Sequence, residues 1–488
     1  MTGSKRIAAS SQSKRFRTVK ILRLFASSAR LSSSAKILCE RDMALPKSCI
    51  VGAGCSGFTT AKALKDRGLP FDCFEMSSAI GGNWLYKNPN GRSSCYQSLH
   101  IDTSKTRMQF ADFPIPAEFP DYPHHSQIVR YFNDYIDHFG LRDSIIMNTE
   151  VKNATRDANG TWQVTLSTGE TRAYDALFVC NGHHWDHYIP KFPGTFDGPE
   201  FHSHNYLTPF EPYDLRGKNV LVVGMGNSAM DIASELSQKP IAKKLFVAAR
   251  RGVWIFPKYI NGAPPDKGVA PAWMPQWLVR AMTKRLIVGA VGHMSNYGLP
   301  EPAHHPADAH PSVSGEFLTR VGCGDITVVK NIKEKRGNKV LFDDGREEEI
   351  DAIIYATGYN VSFPFLDETV IKVENNHLPL FKRIFKPGVD NLFFMGLAQP
   401  LPTLVNFAEQ QARWVADYLA GGYALPSVAE MEKTIAEDEG RDIGHYYSSR
   451  RHTMQVNFDR YCREVKAEWA RGKARAARNS GHSLALAS

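Results

Sequence analysis

Two short glycine patterns carry the chemistry open to this chain. The first is Gly52-Ala-Gly54-Cys-Ser-Gly57, directly after the apolar residues 48–51 and directly before a helical pattern through Phe58, Ala61, Ala63 and Leu64. At this spacing one glycine allows a tight turn and the next lets backbone approach a pyrophosphate. The third, Gly57, lets helix and strand pack closely. The helix start adds N–H groups and positive dipole for the phosphates. Glu75 ends the next apolar stretch, about 20 residues on, where a carboxylate accepts from both ribose hydroxyls. An acid at that place suits NAD and FAD equally.

The second pattern, Gly224-Met-Gly226 with Ala229 in the third small position, has the same setting: apolar residues 219–223 before it, a helical pattern through Ile232, Ala233 and Leu236 after it. Its next strand, residues 245–249, ends in Arg250 and Arg251 instead of an acid. A carboxylate there holds a ribose 2′-hydroxyl and repels a 2′-phosphate, whereas a guanidinium forks onto that phosphate. The second nucleotide is therefore expected to be NADPH. Two nucleotides of different type imply an electron path between them, and the simplest acceptor is a flavin.

The elements that must position these turns read as follows. Between the two patterns, residues 191–206 show no helix or strand periodicity, yet hold Phe196, Gly198, His202 and Tyr206 in the spacing F-x-G-x-x-x-H-x-x-x-Y. The stretch lies where a chain leaving one domain enters another. His202 and Tyr206 are read as hinge residues, with direct chemistry as the alternative. Periodicity predicts a helix over 126–139, small antiparallel strands over 145–152, 160–167 and 172–180, and an apolar helix over 276–292. Further strands are predicted over 325–330, 338–343, 350–355 and 392–396, and a last helix over 408–420. From residue 466 the chain is basic and rich in Gly, Ala and Ser, and is expected to fray. The fold class is α/β: two Rossmann-like dinucleotide-binding domains, for FAD and NADPH, the second inserted in the first. The expected spans are 43–211 for the first part of the FAD domain, 212–335 for the NADPH domain, 336–465 for the return segment and 466–488 for a tail.

The chain has 488 residues and a formal charge of +9. Residues 1–42 hold ten Lys/Arg against Glu40 and Asp42, which leaves 49 basic and 48 acidic side chains elsewhere. The body is near neutral, so a nucleic-acid footprint is not supported. The leader reads either as a mitochondrial-type targeting segment or as a disordered extension, with a cytoplasmic location expected in the second case. Eight cysteines without a C-x-x-C pair argue against zinc, a redox-active disulfide and a secreted disulfide framework. No apolar run approaches the roughly 20 residues of a membrane span. His304, His305 and His310 have no assigned role; a metal site and ordinary surface histidines both remain open.

Taken together, GxGxxG, GGNW (81–84), YQSLHIDTSK (96–105), FxGxxxHxxxY, GMGNSAMD (224–231) and ATGY (356–359) resemble the flavin-containing monooxygenase family. The resemblance runs from Met43 to about Ser427. It implies FAD at the first pattern, with Gly52, Gly54, Gly57, Glu75, Gly82, Trp84, Thr103, Ser104 and Gln399 around it. It implies NADPH at the second, with Gly224, Gly226, Asn227, Ser228, Arg250, Arg251, Thr357 and Gly358. It further implies a C4a-hydroperoxyflavin that passes one oxygen to a soft nitrogen or sulfur nucleophile, as in dimethylaniline N-oxide formation. The partners implied are a small molecule and dioxygen; a homodimer is possible. The cofactor carries the hard chemistry, so no triad, metal or acid/base pair is required. One position departs from the family: Asp102 stands where an asparagine is usual. An ionised aspartate only accepts hydrogen bonds. Either Asp102 is protonated in a desolvated site, or Thr103 or Ser104 donates instead, or reducing equivalents leak to peroxide. Baeyer–Villiger ketone oxygenation, a leaky NADPH oxidase and a non-enzymatic FAD/NADP sensor are the alternatives. Tyr206 is followed by Leu207, whereas the Baeyer–Villiger pattern ends in Trp and then Pro or Asp.

Overall fold

The structure is a computed structural model that describes residues 45–486, apart from 269, 272, 307–310, 402 and 446–451. The leader, residues 1–42, and His310 lie outside the described residues.

Ser48–Val51 is buried along its whole length, as a strand covered on both faces must be. It is the central strand of a five-stranded parallel sheet in the order Leu392–Phe394, Ala176–Val179, Ser48–Val51, Phe71–Phe74, Ile145–Ile146. A second five-stranded parallel sheet repeats the plan around Asn219–Val223: Glu200–His202, Ala352–Tyr355, Asn219–Val223, Lys244–Ala248, Thr327–Val329. All strands of the second sheet fall in sequence between Val179 and Leu392, so the second domain is inserted in the first. Each glycine pattern thus leaves the carboxyl end of a central parallel strand, the place where open α/β sheets bind ligands.

The first sheet is covered by the helix Cys55–Asp66, which packs on Val405–Leu419. Phe58 on that helix is fully buried, its ring 5.8 Å from Phe110 and 5.1 Å from Phe132. Each such ring stabilises the fold by about 2 kcal/mol through leaving water. This packing holds the helix N-terminus, and with it Gly54, in place.

Three expectations are corrected. The second sheet reaches past 212–335 at both ends, because Ala352–Tyr355 is a fully buried apolar run that pairs Ala352 with Val220 and Tyr355 with Val223. The stretch 172–180 is two strands. Thr171–Tyr174 ends a three-stranded antiparallel sheet with Val151–Arg156 and Trp162–Leu166, and Ala176–Val179 enters the parallel one. Asp175 makes the break, its carboxylate accepting from the Lys47 amide at 2.8 Å. Finally, residues beyond 466 continue a helix, Phe458–Leu486. Trp469 Nε1 donates to Asp417 Oδ2 at 2.5 Å, and Arg471 Nη2 pairs with Glu468 at 2.8 Å. Gly472, which reads as a breaker in sequence, is where the helix touches a neighbour: a Cβ there would lie 1.9 Å from the Tyr423 ring.

Candidate active site

A cleft of about 340 Å³ opens at the carboxyl ends of the first sheet's strands. Its floor is the first glycine turn. Gly52 takes φ +97°, and a Cβ on Gly57 would sit 1.8 Å from the Gly52 carbonyl oxygen, so helix and turn touch backbone to backbone. Gly54 caps the helix with no side-chain acceptor, which leaves its first-turn amides to an anion. Opposite, Gly82 begins the turn Gly82–Trp84, and a Cβ on it would come 3.3 Å from the Gly54 Cα. Side chains on either glycine would narrow this cradle.

Glu75 is buried at the end of Phe71–Phe74 and lines the cleft. Its Oε2 accepts from the Ala53 amide and its Oε1 from the Ser77 amide, both at 2.8 Å. These bonds fix the carboxylate and leave each oxygen a further lone pair for a hydroxyl. Burial raises its pKa, opposed by the backbone amides of Ala53, Ser77 and Met76.

Of the residues expected around the first nucleotide, Gly52, Gly54, Glu75, Gly82, Trp84, Asp102 and Thr103 meet in this cleft. Gly57 packs behind the turn. Ser104 is set back: it is fully buried, its amide donates to Asp266 Oδ2 at 2.7 Å, and its hydroxyl lies 3.2 Å from Thr106 Oγ1. Gln399 is also set back, in a strand that pairs with Gln455–Asn457. Sequence reading missed Asn181 and His183, which line the cleft just beyond Ala176–Val179. Asn181 Oδ1 and His183 Nδ1 are buried without a hydrogen-bond partner. Their position after a parallel strand was the available signal.

The second turn repeats the geometry. Gly224 has φ +131°, and a Cβ on it would meet the Ala356 oxygen at 2.4 Å. Gly226 caps Asn227–Leu236 without a side-chain acceptor. Asn227 Oδ1 accepts from the Val313 amide at 3.0 Å, and Ser228 is half-buried on the helix. Arg250 and Arg251 are exposed just past Lys244–Ala248. Thr357 Oγ1 donates to the Tyr188 carbonyl at 2.5 Å, and Gly358 accepts from the Tyr188 amide at 3.0 Å, so this pair shapes the crossing.

The loop that carries Asp102 bridges the two sites. Tyr96 donates to Asp231 Oδ2 at 2.6 Å on the second domain's first helix. Lys258 Nζ stands 3.5 Å from Asp102 Oδ1 and 3.4 Å from the Ile101 carbonyl. Burial, reinforced by Asp231, pushes the Asp102 carboxyl up to about 7 against the pull of Lys258. His202 and Tyr206 lie apart from the cleft. Tyr206 is fully buried and donates to Glu235 Oε2 at 2.7 Å; His202 Nδ1 accepts from the His204 amide at 3.0 Å. Among the described residues, no group of three or more His, Cys, Asp and Glu is placed to hold a metal. His304 accepts at its carbonyl from Trp254 Nε1, 2.7 Å away.

Residues 46–473 match the model of the family described as flavin-binding monooxygenase-like. The chain belongs to that family. Dimethylaniline monooxygenase (N-oxide-forming) 2 of Pan troglodytes is 36% identical over 450 residues, 86% of this chain and 82% of that protein. Flavin-containing monooxygenase 5 of Cavia porcellus is 35% identical over 439 residues, 85% and 81% of the two chains. Among solved structures, S-allyl-L-cysteine S-oxygenase from Allium sativum superposes with a TM-score of 0.65 at 24% identity, covering 87% of this chain and 88% of that one. Cyclohexanone monooxygenase from Rhodococcus sp. Phi1 bound to NADP+ gives 0.65 at 16%, covering 88% and 98%. These two likenesses establish the fold. As a flavin-binding monooxygenase the chain uses FAD and NADPH. The first cleft fits FAD: a side-chain-free cradle for the pyrophosphate, a pinned carboxylate for the ribose, and the orphaned acceptor of Asn181.

Proposed function

We propose that this chain oxygenates soft nitrogen or sulfur nucleophiles, with NADPH as reductant and dioxygen as oxidant. The observation that carries the reading is the paired design of the two sheets. Each has a glycine turn at the carboxyl end of its central strand, and the next strand ends in Glu75 in one sheet and Arg250-Arg251 in the other. FAD, held by the Gly52–Gly57 turn, Glu75 and Gly82, supplies the activation of dioxygen when reduced. NADPH is held by Gly224, Gly226 and Ser228, with its 2′-phosphate on Arg250 and Arg251.

Asp102 takes the place of an amide donor. With its carboxyl pushed up to about 7, it keeps a proton on the acid side of neutrality and donates as an amide does. Above that pH it only accepts. Trp84, Ile101 and Met108 line the cleft with apolar surface that limits water. The test is mass spectrometry of products from thioethers, tertiary amines and ketones supplied with NADPH and air. N- or S-oxides support the reading. Lactones or esters from ketones alone replace it with Baeyer–Villiger chemistry, and hydrogen peroxide alone replaces it with an oxidase.

A further inference from the structure

The cleft built on the first glycine turn is lined in part by thioethers of the chain itself, Met76 and Met108. Met76 follows Glu75, the ribose carboxylate, directly. Met108 ends the short helix Lys105–Met108, just past Asp102 and Thr103, and belongs to one buried cluster with Ile101 and Val405. Methionine side chains are adaptable, but the backbone that carries this one is held on both sides. Lys105 Nζ donates to the Ala117 carbonyl at 2.7 Å, Arg107 Nη2 pairs with Asp459 at 3.3 Å, and the Met108 amide donates to the Ser104 carbonyl at 3.1 Å. Met108 is only 3% exposed, so bulk solvent scarcely reaches it.

A thioether is the kind of soft nucleophile that the proposed reaction oxygenates, and Met108 fixes one in the wall of the cleft. The thiols there are held back. Burial pushes Cys55 up to about 11 and likewise raises Cys180, so both remain protonated near neutral pH. A thioether has no proton to lose and is nucleophilic at every pH. We propose that Met108 is a modification site, its sulfur taking up one oxygen atom when the enzyme turns over with no substrate in the cleft. This rests on the oxygenation of soft nucleophiles proposed above. One atom of dioxygen becomes the sulfoxide oxygen: a sulfur lone pair forms the S–O bond as the O–O bond breaks. The other atom leaves as water, reduced by the hydride of NADPH with a proton from solvent, and NADP+ remains. The sulfoxide is polar and chiral, and it interrupts the apolar wall that limits water. Idle turnover therefore damps the site until a methionine sulfoxide reductase restores it.

The test is peptide mass mapping of the full-length FAD-loaded protein after incubation with NADPH under dioxygen labelled with heavy oxygen, with catalase present and no substrate. Met282, 54% exposed on the helix Gln276–Val291, is the internal control, because exposed methionines meet free peroxide first. Expected is labelled sulfoxide at Met108 at about ten times the level at Met282. A saturating thioether, methyl phenyl sulfide, should suppress it, and hydrogen peroxide added without NADPH should reverse the order. The rate of thioether oxygenation measured afterwards should fall as the label accumulates. Met108→Leu, from whatever rate it starts, should not show that fall; the label map decides the site without it if the variant folds poorly. Equal label at Met282 and Met108, label that the thioether does not displace, or a labelled enzyme that turns over undiminished each overturn the proposal, as does an equal fall in Met108→Leu. Met108 left unlabelled while the added thioether becomes labelled sulfoxide overturns it and leaves the proposed function standing. No labelled sulfoxide on either brings down both.

Discussion

Lys258 Nζ lies 3.5 Å from Oδ1 of Asp102, a carboxylate that lines the FAD cleft. Burial and Asp231 raise the Asp102 pKa to about 7, while Lys258 lowers it. The donor needed at this position is therefore present on the acid side of neutrality and lost as pH rises through about 7. Product formed per NADPH consumed is expected to be highest below pH 7 and to fall above it, with hydrogen peroxide making up the difference. Asp102→Asn donates at every pH, and should give a flat, high ratio. The same inflection in that variant would show that the carboxyl is not the titrating group.

The pair makes a second, opposite-signed expectation. Removing the cation in Lys258→Met takes away the one charge pulling the Asp102 pKa down, so the carboxyl should hold its proton to higher pH. The coupling inflection then moves to higher pH than in the wild type. Parallel titrations of wild type and variant, read as product per NADPH, decide it. An unmoved or lowered inflection rejects the pairing as the control on Asp102.

Both glycine turns, Glu75 and the arginines after the second turn were legible in sequence because each obeys a local spacing rule. A turn, a helix start and a strand end are all specified within one βαβ unit. Lys258 was not legible, since it reaches Asp102 only through the folding of the segment beyond the second sheet's early strands. Asn181 and His183 had a weaker signal, the end of a buried strand, with no motif to mark them. Ser104 was misplaced toward the cofactor because adjacency to Asp102 and Thr103 in sequence says nothing of which way a buried hydroxyl turns. The tail helix was missed for a related reason: Gly472 lowers helix propensity locally, and only its contact with Tyr423 explains the glycine.

The crossing between the domains should be acid-sensitive. His202 is fully buried, and burial, with His187 and His204 nearby, lowers its pKa to about 3. The unfolded chain takes up this proton below the ordinary value of about 6.5, and the folded one does not until about pH 3. Stability is thus fully present above pH 6.5 and falls as pH drops, by about 1.4 kcal/mol per pH unit for this one group. His202→Gln should flatten the pH dependence of the urea midpoint between pH 6.5 and 4 by that amount. An equal slope in variant and wild type would locate the acid sensitivity elsewhere.

Gly57→Ala tests the cradle itself. The added Cβ would lie 1.8 Å from the Gly52 carbonyl oxygen, a backbone atom that can move only by opening the turn. Overpacking of this kind costs about 1–3 kcal/mol, and here the displaced atoms are the ones that approach the pyrophosphate. The variant is expected to purify with little or no bound flavin, seen as loss of visible flavin absorbance per polypeptide. Stoichiometric FAD in Gly57→Ala would mean that the pyrophosphate sits elsewhere.

Arg250 and Arg251 stand in the second sheet close to the place that Glu75 occupies in the first, past the end of the strand next to the central one: Glu75 follows Phe74 directly, whereas Ala249 separates Ala248 from Arg250. That equivalence is the physical argument for nucleotide choice. A hydrogen bond to a charged group contributes about 1.5–3 kcal/mol, so Arg250→Ala should raise KM for NADPH by about 10- to 100-fold. NADH has no 2′-phosphate to lose, and its KM should change little in the same variant. Arg251→Ala, measured alongside, tells which guanidinium makes the contact. If the double variant still prefers NADPH to the wild-type extent, the 2′-phosphate is read by groups away from this strand end, and the symmetry between the two sheets stops at their glycine turns.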